Sequence, residues 1–353
     1  MKTEVIKIEE EQLNTVETTE IFRRAGEIIK SGGLVAFPTE TVYGLGGDAL
    51  NAESSKKIYA AKGRPSDNPL IVHICEWNDI FKIVRKVPAS AKKLAMAFWP
   101  GPLTMILNKS ELVPRETTGG LETVAIRFPS DLMAQKFIRE AGGYIAAPSA
   151  NTSGRPSPTL AKYVEEDLQG KIEMILDGGQ VCIGLESTIV DLTVTPPVIL
   201  RPGYVTQEQL EQVLGQVDID QTLIRTDSGQ PPKAPGMKYK HYAPQGELTI
   251  IDGPEGKVIE RINELVRNAL SEKKRVGIIG TDSTVEKYHA TSVKSAGDRR
   301  NEETIARELY KILREFDDEK MDVIYSESFE QGGLGAAVMN RLLKAAGHHV
   351  EYV

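Results

Sequence analysis

The sequence has little of what most quickly classifies a protein. Its two cysteines in 353 residues, Cys75 and Cys182, lie far apart in apolar surroundings with no partner at metal-ligand spacing. Both are expected to be buried, reduced thiols, with neither a disulfide nor a zinc site. No apolar run approaches the roughly 18 residues that span a bilayer, and the stretch from Met1-Lys2-Thr3-Glu4 onward is acidic where a signal peptide would be basic and then apolar. A cytoplasmic protein without a membrane partner is expected. A basic excess is also missing. The net charge is −7, with 23 Lys+Arg against 27 Asp+Glu over residues 1–215 and 16 against 20 over 246–353, which disfavours polyanion binding and direct contact with tRNA. No Gly-x-x-x-x-Gly-Lys-Ser/Thr loop, Gly-x-Ser-x-Gly elbow or His-Glu-x-x-His occurs. Gly44-Leu45-Gly46-Gly47-Asp48-Ala49 lacks the third glycine of a dinucleotide fingerprint. Nothing calls for haem, flavin, zinc or NAD.

What is present is the composition of a soluble globular chain, 40% hydrophobic and 26% charged, long enough for two domains. An apolar run, Leu34-Val35-Ala36-Phe37, ends at Pro38, which cannot donate to a sheet, and delivers a loop of hydroxyls and glycines, 39–47. Around it, helices are expected over 18–31, 51–61, 79–86, 88–98, 130–141 and 159–168. Strands are expected over 70–74, 104–107, 123–128, 144–147, 172–176, 187–192 and 198–200. The strand 144–147 also ends at a proline and a polar turn, Pro148 to Arg155. Two such strands suggest a shared rim, since open α/β sheets bind ligands where strand ends converge. Thr206 with Gln209 predicts a capping box for a helix through Leu214. Residues 216–246 read as a linker, rich in proline and holding Lys238-Tyr239-Lys240-His241-Tyr242. From 247 to 353 strands and helices alternate, which predicts a smaller α/β domain with a mostly parallel sheet.

His73 and Arg127 are polar interruptions of apolar strands. A lone histidine in a strand is more often structural than a ligand, and a lone arginine often an edge-strand salt bridge. Taken together, Lys62, Arg64, Arg127 and Arg201 with the hydroxyl or amide turns 39–43, 149–153 and 187–188 form a set of cations and hydroxyls without a nucleophile and base. Such a set suits a polyphosphate, whose reactions depend on positioning and charge neutralisation.

Pro38-Thr39-Glu40-Thr41-Val42-Tyr43-Gly44-Leu45, Lys62-Gly63-Arg64 and Ser149-Ala150-Asn151, spread in this order over about a hundred residues, resemble the YrdC/Sua5 family. The linker Pro235-Gly236-Met237-Lys238-Tyr239-Lys240-His241-Tyr242-Ala243-Pro244 and the second domain are similar to its long, Sua5-type form. The resemblance implies a YrdC-like catalytic domain over 1–215, built as an open twisted mixed sheet with flanking helices, and a Rossmann-like Sua5 domain over 247–353. It implies an L-threonylcarbamoyladenylate synthase that takes L-threonine, bicarbonate or CO2 and ATP, with Mg2+ expected and no other cofactor. The product would pass to a transferase complex that modifies adenosine 37 of tRNA. By the same resemblance Lys62 and Arg64 lie on the phosphates, with Ser149 and Asn151 positioning nucleotide and carbamate. Thr39, Thr41, His73, Arg127 and Ser187 surround threonine, while Asn68, Thr123, Ala147, Ser157, Arg201 and Lys240 complete the nucleotide side. Tyr239, Lys240 and His241 would close over the cavity. Two alternatives stay open here: an RNA-binding module, and a carbamoyltransferase of the hydrogenase-maturation type.

Overall fold

The computed structural model describes residues 2–220, 234, 241–330 and 332–353; Tyr239 and Lys240 lie outside them. The chain divides into two units: Met1–Ser153 with Ser157–Cys182 and Glu186–Lys238, and Gly154–Pro156 with Ile183–Leu185 and Tyr239–Val353. Each is taken by itself.

The first unit runs β1 (Glu4–Lys7), α1 (Val16–Lys30), β2 (Val35–Phe37), β3 (Gly44–Asp48), α2 (Ala52–Lys62), β4 (Ile71–His73), α3 (Ile80–Ile83), α4 (Ala89–Phe98), β5 (Leu103–Asn108) and β6 (Thr123–Arg127). It continues with α5 (Leu132–Glu140), β7 (Ile145–Ala146), α6 (Ala161–Leu168), β8 (Met174–Asp177), β9 (Thr188–Asp191), β10 (Val198–Arg201), α7 (Gln207–Leu214) and β11 (Asp218–Ile219). The described strands form one mixed sheet in the order β1-β8-β2-β3-β7-β4-β6-β5-β9-β10-β11. The period of two along each strand sorts its side chains between the faces. Ala36, Leu45, Val72, Met105, Ile126 and Val190 pack on one face with Ile58 of α2, Leu94 of α4, Val164 of α6 and Leu210 of α7. Val35, Phe37, Ile145 and Ala147 pack on the other with Phe22, Ala25 and Ile29 of α1 and Phe137 and Ile138 of α5. Farther along this second face, Ile71, Ile106, Ala125, Ile189 and Leu200 cluster instead with Ala234 of the linker. One half of this face is thus packed by helices, while the half over β4, β6, β5 and β9 carries this separate buried cluster.

The glycine stretch is not a loop. Gly44–Asp48 is a strand that pairs antiparallel with β2, Phe37 opposite Gly44 and Val35 opposite Gly46. Its glycines make room for a neighbour: a Cβ on Gly44 or Gly46 would sit 3.3 Å and 3.1 Å from the Phe37 ring. The helix expected over 79–86 shortens to a 3-10 turn, Trp77–Asp79, and the single turn of α3, because the β-branched Ile83-Val84 leads into an extended Val84. β1 and β11 were not expected; their charged, exposed residues at the two sheet edges carry no apolar alternation. Arg127 is not on an edge, since β6 lies between β4 and β5. Cys75 is buried as expected, but Cys182 is exposed; the apolar neighbours Val181 and Ile183 do not bury the thiol between them.

The second unit adds β12 (Glu247–Asp252), α8 (Glu255–Ser271), β13 (Val276–Gly280), β14 (Ser292–Ser295), α9 (Glu302–Asp318), β15 (Val323–Glu327), α10 (Gly335–Ala345) and β16 (Val350–Tyr352). Its sheet, ordered β14-β13-β15-β12-β16, is parallel at every described pairing. Ile251, Val276 and Ile278 pack against Val258, Ile262 and Val266 of α8. The short, half-polar β14 and β16 escaped the sequence reading.

Candidate active site

The site begins where two strands release their loops at the same edge. β2 is antiparallel to β3, and β3 to β7, so the loops after Phe37 and after Ala146 leave the sheet side by side. The backbone joins them: Leu45 N donates to Pro148 O and Ala150 N to Tyr43 O, each at 2.8 Å. Thr39 organises the first loop, its hydroxyl donating to Val42 O at 2.7 Å and lying 2.9 Å from the Thr41 hydroxyl.

Lys62 is the last residue of α2, which stops at Gly63 in the left-handed region (φ 61°), where glycine costs least. The buried Lys62 ammonium donates to Ser149 O at 2.5 Å and also to Asn151 O. Ser149 Oγ in turn donates to Asn151 Oδ1 at 2.5 Å. A buried cation therefore clamps the Ser-x-Asn turn through carbonyl oxygens, which leave its charge intact. Arg64 does the same to the approach to β4, donating to Asn68 O at 3.2 Å and Pro69 O at 3.1 Å. Asn68 is buried, and its Oδ1 has no hydrogen-bond partner among the described residues.

A second group lies toward the other end of the central strands. His73 of β4 is level with Arg127 of β6, and Arg127 with Thr104 of β5. Arg127, 4% exposed, donates to Thr41 Oγ1 at 2.8 Å and approaches Glu40 Oε1 to 2.8 Å; the loop after β2 thus folds back over the sheet face. Ser187 Oγ lies 2.8 Å from the Thr104 hydroxyl and accepts from Arg201 at 3.2 Å. His73 Nδ1 lies 3.1 Å from Ile71 O. A carbonyl only accepts, so Nδ1 carries the hydrogen and Nε2 is left as an acceptor. Burial, with Arg127 adding to it, drives the imidazole pKa down to about 3; His73 is neutral at physiological pH.

The sequence-derived residues thus fall into two sets. Lys62, Arg64, Asn68, Ala147, Ser149 and Asn151 gather at the edge where β4 and β6 begin, and Thr123, first residue of β6, lies at that edge too. Thr41, His73, Arg127, Ser187 and Arg201 gather at the far end. Thr123 and Arg127 stand four residue steps apart along β6, about 13 Å at the usual rise per strand residue. Arg201 lies beside Ser187, and Ser157 donates to Glu186 at 2.6 Å. The rim expected where strands converge holds for β2 and β7; the whole site instead spreads over a face, because β4 runs against β7 and β5 against β6. His241 belongs to the second unit, its ring 5.4 Å from that of Tyr242. Sequence reasoning left out Glu40, Thr104 and Glu186. Thr104 bore the same signal as Arg127, a polar residue inside the apolar run Leu103 to Leu107.

A mixed sheet flanked by helices, with the buried cations Lys62, Arg64, Arg127 and Arg201 set among hydroxyl and amide groups, defines the class: an α/β protein with a polar, cation-bearing site on its sheet. Residues 27–203 match the Sua5, YciO and YrdC family model, described as Telomere recombination, and 205–347 match the model of the threonylcarbamoyl-AMP synthase C-terminal domain. Threonylcarbamoyl-AMP synthase of Pyrococcus abyssi is 51% identical over 93% of this chain and 94% of its own length. The Bacillus subtilis protein of the same name is 48% identical over 93% of each. The crystal structure of P. abyssi Sua5 complexed with L-threonine superposes with a TM-score of 0.93 at 49% identity, covering 99% of this chain and 100% of that one. Escherichia coli YciO, at 22% identity and TM-score 0.50, shares the fold of the first unit. The chain belongs to the Sua5/YrdC family.

Proposed function

We propose that the protein is an L-threonylcarbamoyl-AMP synthase, a nucleotidyltransferase that condenses L-threonine, bicarbonate or CO2 and ATP with release of pyrophosphate. The observation that carries the reading is the pair of polar sets toward opposite ends of the central strands, an arrangement that suits a nucleotide phosphate at one end and an amino acid at the other. Sua5 of P. abyssi, named as complexed with L-threonine, is similar over the whole chain, which supports threonine as the amino acid. Threonine carbamate is short-lived in water, so the site must hold it dry and in line. The threonine amine adds to CO2 with loss of a proton to give the carbamate; a carbamate oxygen then attacks the α-phosphorus, the bond to the β-phosphate oxygen breaks, and pyrophosphate leaves with the charge. Lys62 and Arg64, held in place by carbonyls, are the cations for the phosphates; Ser149 and Asn151 orient nucleotide and carbamate. Arg127 pairs with the threonine carboxylate, with Thr41, His73 and Ser187 around the rest of it. Mg2+ bound through the phosphates needs few protein ligands. Among the described residues no group of three or more His, Cys, Asp or Glu is placed to hold a metal. The product would serve a tRNA threonylcarbamoyl transferase complex acting on adenosine 37, with the enzyme working in the cytoplasm; among the described residues no helix is long and apolar enough to cross a membrane.

Closure over the site is proposed for the linker on its chemistry, two lysines, two tyrosines and a histidine over residues 238–242, and on Ala234, buried on the site's face. Deletion of 231–244 should abolish synthesis while circular dichroism and the melting profile stay folded; unimpaired turnover would remove the lid. The deciding assay follows pyrophosphate release from ATP with bicarbonate and each amino acid in turn. Release should depend on threonine and be lost in Lys62→Ala and Arg127→Ala. Tight, salt-sensitive tRNA binding without threonine-dependent release would favour an RNA-binding module instead.

A further inference from the structure

Arg127 meets a carboxylate before any substrate arrives. Glu40 is 7% exposed and Arg127 4%, and the two approach to 2.8 Å. The approach is not in line for a hydrogen bond: among the described residues neither Glu40 oxygen has a hydrogen-bond partner, nor do Nε and one terminal nitrogen of Arg127. Buried charges are normally fully hydrogen-bonded, because leaving them otherwise is costly. This pair is balanced in charge but incomplete in hydrogen bonds, with open capacity of both signs at one point.

A zwitterion supplies both missing partners. We infer that Glu40 is the ammonium-recognition residue of the amino-acid subsite, which makes Glu40 and Arg127 a matched pair for the α-amino and α-carboxyl groups of one amino acid. The inference rests on the threonine reading above. On binding, the substrate carboxylate takes the open donors of Arg127 and the ammonium donates to Glu40, so two opposite charges enter and the net charge at the pair is unchanged. Thr41, bonded to Arg127 and adjacent to Glu40 in the chain, holds the two in register. The other nearby titratable groups do not compete for the task. His73 is neutral, its pKa driven down to about 3 by burial. Asp131 is pushed up to about 6 by burial, and its Oδ1 is committed to Ala134 N at 2.8 Å as the N-cap of α5. Glu40 thereby rejects ligands that carry the carboxylate without the ammonium, such as a hydroxy acid of the same shape.

The test compares L-threonine with (2S,3R)-2,3-dihydroxybutanoate, in which a hydroxyl replaces the ammonium, by calorimetric titration of the full chain and of Glu40→Gln. For the wild type threonine should bind at least about 30-fold more tightly than the hydroxy acid, the scale of one buried charge contact. In Glu40→Gln threonine should weaken by a similar factor. The hydroxy acid should bind as well as before or better, because Arg127 is released from its acidic neighbour. Glu40→Asp should recover part of the threonine affinity. A merely structural Glu40 would weaken both ligands together, and that result overturns the inference, as does unchanged threonine affinity in Glu40→Gln. Should Glu40→Gln fail to fold, the wild-type ratio alone decides: equal binding of the two ligands overturns it. If the wild type binds neither threonine nor the hydroxy acid and releases no threonine-dependent pyrophosphate, it is the synthase reading that fails.

Discussion

A neutral, buried histidine next to an arginine ties the site to folding. The imidazole pKa of His73 is lowered from its ordinary value of about 6.5 to about 3, by burial first and by Arg127 second. Its folded pKa is depressed, so the unfolded chain binds the proton and the folded chain does not between those limits. The resulting stability is fully present above about pH 6.5 and is lost progressively as the pH falls toward about 3. Urea unfolding from pH 7.5 to 4.5 should show the wild type losing more stability than His73→Gln, which lacks that proton site. His73 should also contribute no inflection between pH 6 and 8 to the threonine-dependent rate, since it stays neutral there. His73, Arg127 and the Lys-x-Arg and Ser-x-Asn pairs were legible in the sequence because each interrupts an apolar run or belongs to a spaced motif. Glu40 was seen only as a loop charge. Its role depends on a loop folding back to reach β6, a contact 87 positions away that no local pattern encodes.

At the scale of elements, long and periodic segments were read within a few residues, and the capping box at Thr206 and Gln209 is present as expected. The instructive miss is β3. Gly44-Leu45-Gly46-Gly47-Asp48 resembles a loop by propensity, yet tertiary packing makes it a central strand whose glycines sit against Phe37, Ile145 and Ile58. The consequence differs from one glycine to the next. A Cβ on Gly46 would stand 2.9 Å from Ile145 Cγ2 and 3.1 Å from both the Phe37 ring and the Val35 carbonyl oxygen. The carbonyl belongs to the β2 ladder and cannot move aside. A Cβ on Gly47 would meet the ends of the Ile58 and Leu34 side chains at 3.0 Å and 3.1 Å, which can rotate. Gly46→Ala should therefore cost about 1–3 kcal/mol by overpacking and Gly47→Ala distinctly less, as read from denaturant midpoints at constant m-value. Equal losses at the two positions would show that strand pairing, not contact with Phe37 and β2, sets the requirement for glycine.

For the whole molecule, the division of the chain does not follow its order. The second unit takes in two short pieces from the first half of the sequence, Gly154–Pro156 and Ile183–Leu185. Within that unit Arg155 lies 3.5 Å from Asp317, whose side chain is 2% exposed, and Arg314 Nε donates to Pro156 O at 3.0 Å. Gly184 leaves no space for a Cβ, which would meet the Ala306 and Arg307 backbone at 2.5 Å. A fragment of residues 241–353 keeps the parallel sheet and the apolar core of Ile251, Ile262, Val266 and Ile278, so it should fold. It lacks Arg155, however, and Asp317 is a carboxylate whose pKa burial already raises while Arg155 and the backbone of Gln245 pull it down. Without Arg155 the pKa rises further. A raised carboxylate pKa costs stability above that pKa and is relieved as the pH falls through it. The fragment should therefore be less stable at pH 7.5 than the same fragment carrying Asp317→Asn, since only Arg314 and the Gln245 backbone are left to favour the carboxylate against burial, and the gap should close on acidification. In the full chain, where Arg155 lowers the Asp317 pKa but burial still leaves it raised, Asp317→Asn should give a smaller gain; a gain of equal size there would mean that Arg155 does not offset the buried charge.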